Sequence, residues 1–173
     1  FMFLLIGLFL DVIQWIFITF ANPNWAEGLQ VVPLLALGNI FLGIYYNLSV
    51  WFKLTDKNKF GAIITVMGAV ITIVLNVILI PKLHYTGAAI ATFTCYLFMM
   101  VACYKFGQKN YPIPYPVKKL TAYIVMVVLI YFLHLALVKF VISSLWFSIS
   151  SGMALFIFFA WFVSKIEAKE LAN

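Results

Sequence analysis

The chain has 173 residues, of which 66% are hydrophobic and 9% are charged, and its formal net charge at pH 7 is +6. A soluble domain of this length needs far more polar surface, so the composition excludes a soluble globular fold. A basic chain often binds nucleic acid, but here the positions of the lysines favour a lipid bilayer as the partner, with no nucleic acid.

Six apolar runs divide the chain. They occupy residues 1–20, 31–52, 60–80, 87–104, 120–138 and 145–164. A helix of about 20 residues is roughly 30 Å long and matches the hydrocarbon core of a bilayer. The runs do not alternate with a two-residue period, so barrel strands are disfavoured. The sequence therefore predicts an all-α, polytopic transmembrane bundle of six spans, with residues 1–173 forming one transmembrane lobe.

The lysines are concentrated in every second gap. Nine of the eleven follow the second, fourth and sixth runs, whereas the third and fifth gaps contain one each, Lys82 and Lys139. Short loops rich in lysine stay in the cytoplasm, so both ends of this segment are predicted to be cytoplasmic. Because the chain begins at Phe1, inside an apolar run and without a preceding basic segment, we expect a piece of a longer protein and no signal peptide.

Two polar residues lie deep in the first run. Asp11 is roughly 14 Å from the outer end of the run, where a carboxylate is costly, and such residues usually face the interior of a bundle and serve function. Gln14 is three positions further on and shares the same face. We expect both to contribute to a substrate cavity or to ion coupling. A purely structural role for Asp11, either neutral or paired with another span, is an equal alternative.

Runs two, three and four each carry a stripe of small and polar residues at three- or four-residue spacing. The stripes comprise Ala36, Asn39, Gly43 and Asn47; Gly61, Thr65, Gly68, Thr72 and Asn76; and Gly87, Ala91 and Cys95. Small residues let helices approach closely in lipid, and amides hydrogen-bond between helices. Gly43, Gly68, Gly87 and Ala91 are predicted to serve helix packing. The three asparagines either join helices or line a cavity that binds sugar hydroxyl groups.

The remaining candidate residues are assigned structural roles. Cys95 and Cys103 are separated by a helical rise of roughly 12 Å, too far for a disulfide, and we expect buried thiols. Runs five and six are predicted to be peripheral, and His134 in run five is interpreted as interfacial rather than as a proton relay. The sequence shows no nucleophile with a plausible base, no cluster of metal ligands and no phosphate-binding glycine loop, so no enzyme, cofactor or metal is predicted.

Several segments between residues 27 and 116 match a family pattern. They are VVP at 31–33, LGIYYNLS at 42–49, WFKLTDK at 51–57, NVILIP at 76–81 and GAAIAT at 87–92. This part of the chain resembles the C-terminal region of bacterial polysaccharide biosynthesis proteins. These are the Wzx-type flippases of lipid-linked oligosaccharides, in the multidrug/oligosaccharidyl-lipid/polysaccharide (MOP) exporter superfamily. One departure is His84, where relatives commonly carry a glycine.

The resemblance implies a MATE-like fold of two helical lobes around a central cavity, with this chain as the second lobe. It implies a bacterial inner-membrane protein that moves a polyprenyl-pyrophosphate-linked oligosaccharide, such as an O-antigen, capsule or exopolysaccharide unit, to the outer leaflet by alternating access. The missing N-terminal lobe would be a partner and would hold most of the cationic residues that meet the pyrophosphate. The absence of arginine from this chain agrees with that division.

Two other classes remain open at the level of sequence. A membrane-embedded glycan polymerase or acyltransferase would need acidic or arginine residues in a sizeable outer loop, and the outer gaps here are short and nearly uncharged. A structural or assembly subunit is the third alternative.

Overall fold

The computed structural model describes residues 6–20, 28–110, 112, 117–140 and 145–171. These residues are almost entirely helical and include no strand, which confirms the all-α prediction. The chain divides into two compact units. One unit comprises Phe1–Gln30 together with Pro116–Asn173, and the other comprises Val31–Tyr115.

Six helices are numbered here in chain order. They are α1 (Leu10–Phe20), α2 (Val32–Leu48), α3 (Val50–Leu54), α4 (Asn58–Asn110), α5 (Val117–Phe140) and α6 (Leu145–Leu171). Four helical segments within the described residues are long and apolar enough to cross a membrane. They are Gly28–Leu54, Asn58–Asn110, Lys119–Leu137 and Ser148–Ile166. This architecture indicates a membrane protein.

Helix α4 is a hairpin of two limbs. A straight helix of its 53 residues would be roughly 80 Å long, more than twice the thickness of a hydrocarbon core. The helical geometry breaks at His84, where φ is 48° and ψ is −127°. The chain then folds back, and the Sγ of Cys95 donates a hydrogen bond to the carbonyl oxygen of Gly68 at 3.3 Å. The limbs, 58–83 and 85–110, coincide with the predicted runs three and four.

Two backbone features produce this reversal. Pro81 lies inside α4 and has no N–H to donate, which weakens the helical hydrogen-bond ladder just before the break. His84 then takes a positive φ, a conformation that an L-residue adopts at a cost and glycine adopts freely. His84 is therefore the position at which this chain turns.

The core of the Val31–Tyr115 unit lies between α2, α3 and the two limbs of α4. Its buried members are Tyr45, Leu48, Trp51, Phe52, Ile64, Cys95, Met99 and Cys103. Both cysteines are free and buried, as the sequence predicts. Small residues on the facing sides of the limbs allow this close approach, because without a hydrophobic driving force in lipid, helices associate through tight van der Waals contact.

A tight turn joins α3 to α4. The backbone N–H of Lys57 donates to the carbonyl oxygen of Phe52 at 2.9 Å, and Asp56 between them has φ 54°. This is the arrangement of a helix C-terminus closed by a left-handed residue, a position that aspartate tolerates better than most residues. The turn sends the chain directly from α3 into the first limb of α4.

In the other unit, α5 packs against α6 and the turn that precedes α1. His134 on α5 is 1% exposed, and its Nδ1 lies 3.4 Å from the Oγ of Ser151 on α6. Gly152 lets the chain at Leu8 come close, since a Cβ built on Gly152 would be 3.3 Å from the carbonyl oxygen of Leu8. The sequence did not predict this burial, and the interfacial depth of His134 in the membrane stays a prediction. The imidazole is enclosed between helices, because glycine and serine leave room for it.

Candidate functional site

One face of α2 is committed to packing. Gly38 is buried against the second limb of α4, where a Cβ would lie 3.4 Å from the Cα of Phe93. The rings of Phe41 and Phe93 have centroids 5.5 Å apart, and Tyr45 and Leu48 continue the same face into the core. These residues recur at intervals of three and four, as one side of a helix requires.

The opposite face of α2 is exposed and polar. Asn39 and Asn47 are exposed, and the phenol-bearing side chain of Tyr46 is 59% exposed. Gly43 lies between them, and a Cβ built on it meets no heavy atom within 4 Å. We call these four residues the amide face of α2. It is a shallow notch at Gly43, flanked by groups that form hydrogen bonds.

Each amide of this face is held by its own helix. The Nδ2 of Asn39 donates to the carbonyl oxygen of Leu35 at 2.9 Å, and the Nδ2 of Asn47 donates to that of Gly43 at 3.1 Å. An asparagine amide has two N–H donors and a carbonyl acceptor, so one such bond fixes its orientation and uses only part of its capacity. The rest of the capacity lies on an exposed surface.

The depth of the amide face in its helix makes this exposure significant. The 17 residues of α2 are roughly 25 Å long, and Asn39 lies roughly 10 Å from the first of them. At such a depth in a bilayer, an amide directed into hydrocarbon leaves donors and acceptors unsatisfied, which costs several kcal/mol. A water-filled cavity or another protein segment satisfies them. The face is therefore suited to a polar ligand or a polar partner, and unsuited to lipid chains.

The other polar candidates lie elsewhere. Asn76 is on the first limb of α4, and its Oδ1 is buried with no hydrogen-bond partner among the described residues. Gln14 is exposed on α1, in the other unit. Asp11 also belongs to α1, and its side chain lies outside the described part of the structure. The structure thus brings Asn39 and Asn47 onto one surface and does not join Asn76 to it.

The four residues assigned to helix packing differ in their surroundings. A Cβ on Gly68 would lie 3.1 Å from the Cγ and Sδ of Met99, and a Cβ on Gly87 would lie 2.7 Å from the backbone C and O of Leu79. Ala91 is completely buried. Gly43 instead opens onto the amide face, with no contact in the described residues.

The segment WFKLTDK at 51–57, which contributes to the family resemblance, forms the base of the α4 hairpin. Trp51 packs on Gly107, where a Cβ would be 3.0 Å from the indole Nε1, and the ring of Phe52 covers Gly61 at 2.7 Å by the same measure. Rings of this size fit only where glycines leave space. This segment therefore holds α3 across both limbs, a structural role.

Tyr46 is a member of the amide face that the sequence interpretation did not single out. Its position seven residues after Asn39 puts it on the same side of the helix, which is the signal that would have identified it. Exposed tyrosine presents both an aromatic surface and a hydroxyl group, and these suit a sugar ring.

No family model, curated protein or solved structure matches this chain.

Proposed function

We propose that this chain is part of a bacterial inner-membrane transporter that flips a lipid-linked oligosaccharide across the bilayer by alternating access. The amide face of α2 is the observation that carries the proposal. It presents amides, a phenol and an open glycine on a helix of membrane-spanning length. Sugar hydroxyl groups donate and accept hydrogen bonds at once, and so do amides and phenols.

The resemblance of residues 27–116 to Wzx-type polysaccharide biosynthesis proteins supports the same proposal. In this layout the chain supplies the second lobe of a MATE-like fold, with six spans and both ends in the cytoplasm. The amide face of α2 lines the central cavity, and the first lobe closes that cavity from the other side. The substrate is a polyprenyl-pyrophosphate-linked O-antigen, capsule or exopolysaccharide unit.

A steric block at the amide face tests the proposal. Gly43→Phe fills the notch with a ring, and we expect it to abolish movement of a fluorescent lipid-linked oligosaccharide in vesicles that contain the whole gene product. Val70→Phe is the matched control, because Val70 is 54% exposed on the apolar outer side of the first limb of α4. Transport that survives Gly43→Phe in folded protein would contradict the proposal.

The amides themselves are tested by Asn39→Leu, with Asn39→Gln as the conservative comparison. Loss of one hydrogen bond to substrate removes about 1 kcal/mol, which corresponds to about a fivefold weaker apparent affinity. Asn39→Gln keeps the donor and acceptor and should retain most of the affinity. Equal affinity in the two variants and the wild type would show that Asn39 does not meet the substrate.

Ion coupling through Asp11 is a separate part of the proposal. Asp11→Asn removes the titrating group while it keeps the shape of the side chain. We expect lower surface glycan in cells whose only flippase is the variant, because an amide cannot take up and release a proton. Unchanged surface glycan would remove Asp11 from the mechanism and leave the role of the amide face intact.

A further inference from the structure

The fold of the Val31–Tyr115 unit gathers lysines from two separate stretches of sequence, 53–59 and 105–109, at one end of its helices. The two limbs of α4 are antiparallel, so the first and last residues of α4 both lie at this end of the unit. The rings of Phe60 and Phe106 meet there, with centroids 5.8 Å apart. Trp51 of α3 packs against Gly107 at the same place. The residues next to these contacts are therefore neighbours in space.

These neighbours are predominantly basic. The exposed lysines at this end are Lys53, Lys57, Lys59, Lys105 and Lys109. They are accompanied by one acidic residue, Asp56. We call the five lysines the basic end. The opposite end of this unit is the tip of the hairpin, and among the described residues it carries one lysine, Lys82.

Exposed apolar side chains adjoin the basic end. Leu54, next to Lys53, is 77% exposed, and Phe106, next to Lys105, is 39% exposed. Val101 is 38% exposed and lies one helical turn from Lys105, on the same side of the second limb. The basic end is thus flanked by exposed apolar side chains, and on the second limb of α4 the side that carries Lys105 continues to Val101, towards the middle of the helix.

We propose that the basic end is a binding site for an anionic phospholipid. The lysines hold the headgroup phosphate, and Val101, on the side of the second limb that carries Lys105, contacts the upper part of an acyl chain. A free anion would use the charges alone and would make no use of the apolar side chain of Val101. Lysine is suited to a headgroup because its flexible stem lies along apolar surface while its ammonium group reaches the phosphate.

The test compares two lipids with identical acyl chains, phosphatidylglycerol and phosphatidylcholine, titrated into the full chain in mild detergent and counted by native mass spectrometry. The variant is the triple change Lys57→Gln, Lys59→Gln and Lys105→Gln. Each lysine near a membrane surface contributes about a fivefold factor to anionic lipid binding, so the triple variant should bind phosphatidylglycerol on the order of a hundredfold more weakly. Its binding of phosphatidylcholine should change little.

Two controls separate this site from general positive charge. Lys82→Gln removes a lysine from the other end of the same unit and should leave phosphatidylglycerol binding within about twofold of the wild type. Replacement of the same three lysines by arginine keeps the charge and should also keep the preference. Inorganic phosphate at the same concentration as the lipid should displace little of it, since it lacks an acyl chain.

Several outcomes would overturn the proposal. They are equal affinity of the wild type for the two lipids, an equal loss in Lys82→Gln and the triple variant, and full displacement of the lipid by inorganic phosphate. If the triple variant loses its helical circular dichroism, Lys105→Gln alone replaces it. Lys105 is exposed, and its loss should weaken phosphatidylglycerol binding about fivefold. An unchanged affinity in that variant would equally refute the site.

Discussion

Replacement of Gly87 by alanine should separate the two limbs of α4. A Cβ on Gly87 would lie 2.7 Å from the backbone C and O of Leu79 and 3.0 Å from the backbone N of Ile80, whereas ordinary contacts begin near 3.4 Å. The limbs must therefore move apart by about 0.7 Å, the difference between 3.4 and 2.7 Å. The obstacle is main chain, so no rotamer change can relieve it.

The expected size of the effect follows from two opposing terms. Overpacking of a tight contact costs about 1–3 kcal/mol, and alanine gains about 1 kcal/mol over glycine in a helix. We expect Gly87→Ala to lose up to about 2 kcal/mol of stability, which lowers the melting temperature by up to about 8 °C for a chain of this size. Gly43→Ala meets no neighbour within 4 Å, so it should gain up to about 1 kcal/mol from helix propensity.

The chain carries its own reporter for this measurement. Its two cysteines, Cys95 and Cys103, are 7% and 0% exposed and lie in the core that the limbs enclose. A thiol-reactive fluorophore in detergent should react only as the hairpin opens on heating. Two results would refute the close approach of the limbs at Gly87. One is a melting temperature of Gly87→Ala at or above that of the wild type, and the other is an equal lowering of the melting temperature by Gly43→Ala and Gly87→Ala.

Other substitutions probe the turn and the buried histidine. His84→Gly should raise the melting temperature, because it relieves a positive-φ strain of about 1–3 kcal/mol. Lys82→Gly, in the helical part, should lower the melting temperature, because glycine costs a helix about 1 kcal/mol of stability. A lower melting temperature in both variants would contradict the strain at His84. His134→Ala should cost about 2–4 kcal/mol by opening a cavity, and Ser151→Ala about 1 kcal/mol, both followed by circular dichroism on heating. An unchanged melting temperature in His134→Ala would show that the imidazole is not enclosed.

Hydrophobic runs and small-residue spacing were sufficient to predict much of this fold. The two limbs of α4 match the third and fourth predicted runs, and the free, buried thiols follow from their spacing of eight residues. The reversal between the limbs was less visible, because the chain turns at His84 without a glycine or a loop. The gap between the two runs predicted a turn, and the backbone conformation shows that the turn is made at His84 within a nearly continuous helix.

The candidate site was predicted less completely. The three- and four-residue spacing identified Asn39, Gly43 and Asn47 as one stripe, but spacing alone does not say which side of a helix meets its neighbours. In α2 the bulky residues Phe41 and Tyr45 turn inwards onto the second limb of α4, and the small polar stripe is left exposed. Gly68 and Gly87, by contrast, lie on the side of their limbs that packs against a neighbour, and both are buried. Whether a small-residue stripe is buried depends on the shape of the helix that packs against it, and the sequence of one helix alone does not contain that information.

The tight reversal at His84 bears on how the chain enters a bilayer during synthesis. No loop separates the two limbs of this hairpin, so the ribosome begins to synthesise the second limb as soon as the first is complete. The first limb therefore has little time to enter the bilayer alone. We expect the translocon to release both limbs together, with Asn76 shielded from lipid by the second limb as it leaves. The amide that is costly for a single span then enters the membrane inside a preformed pair.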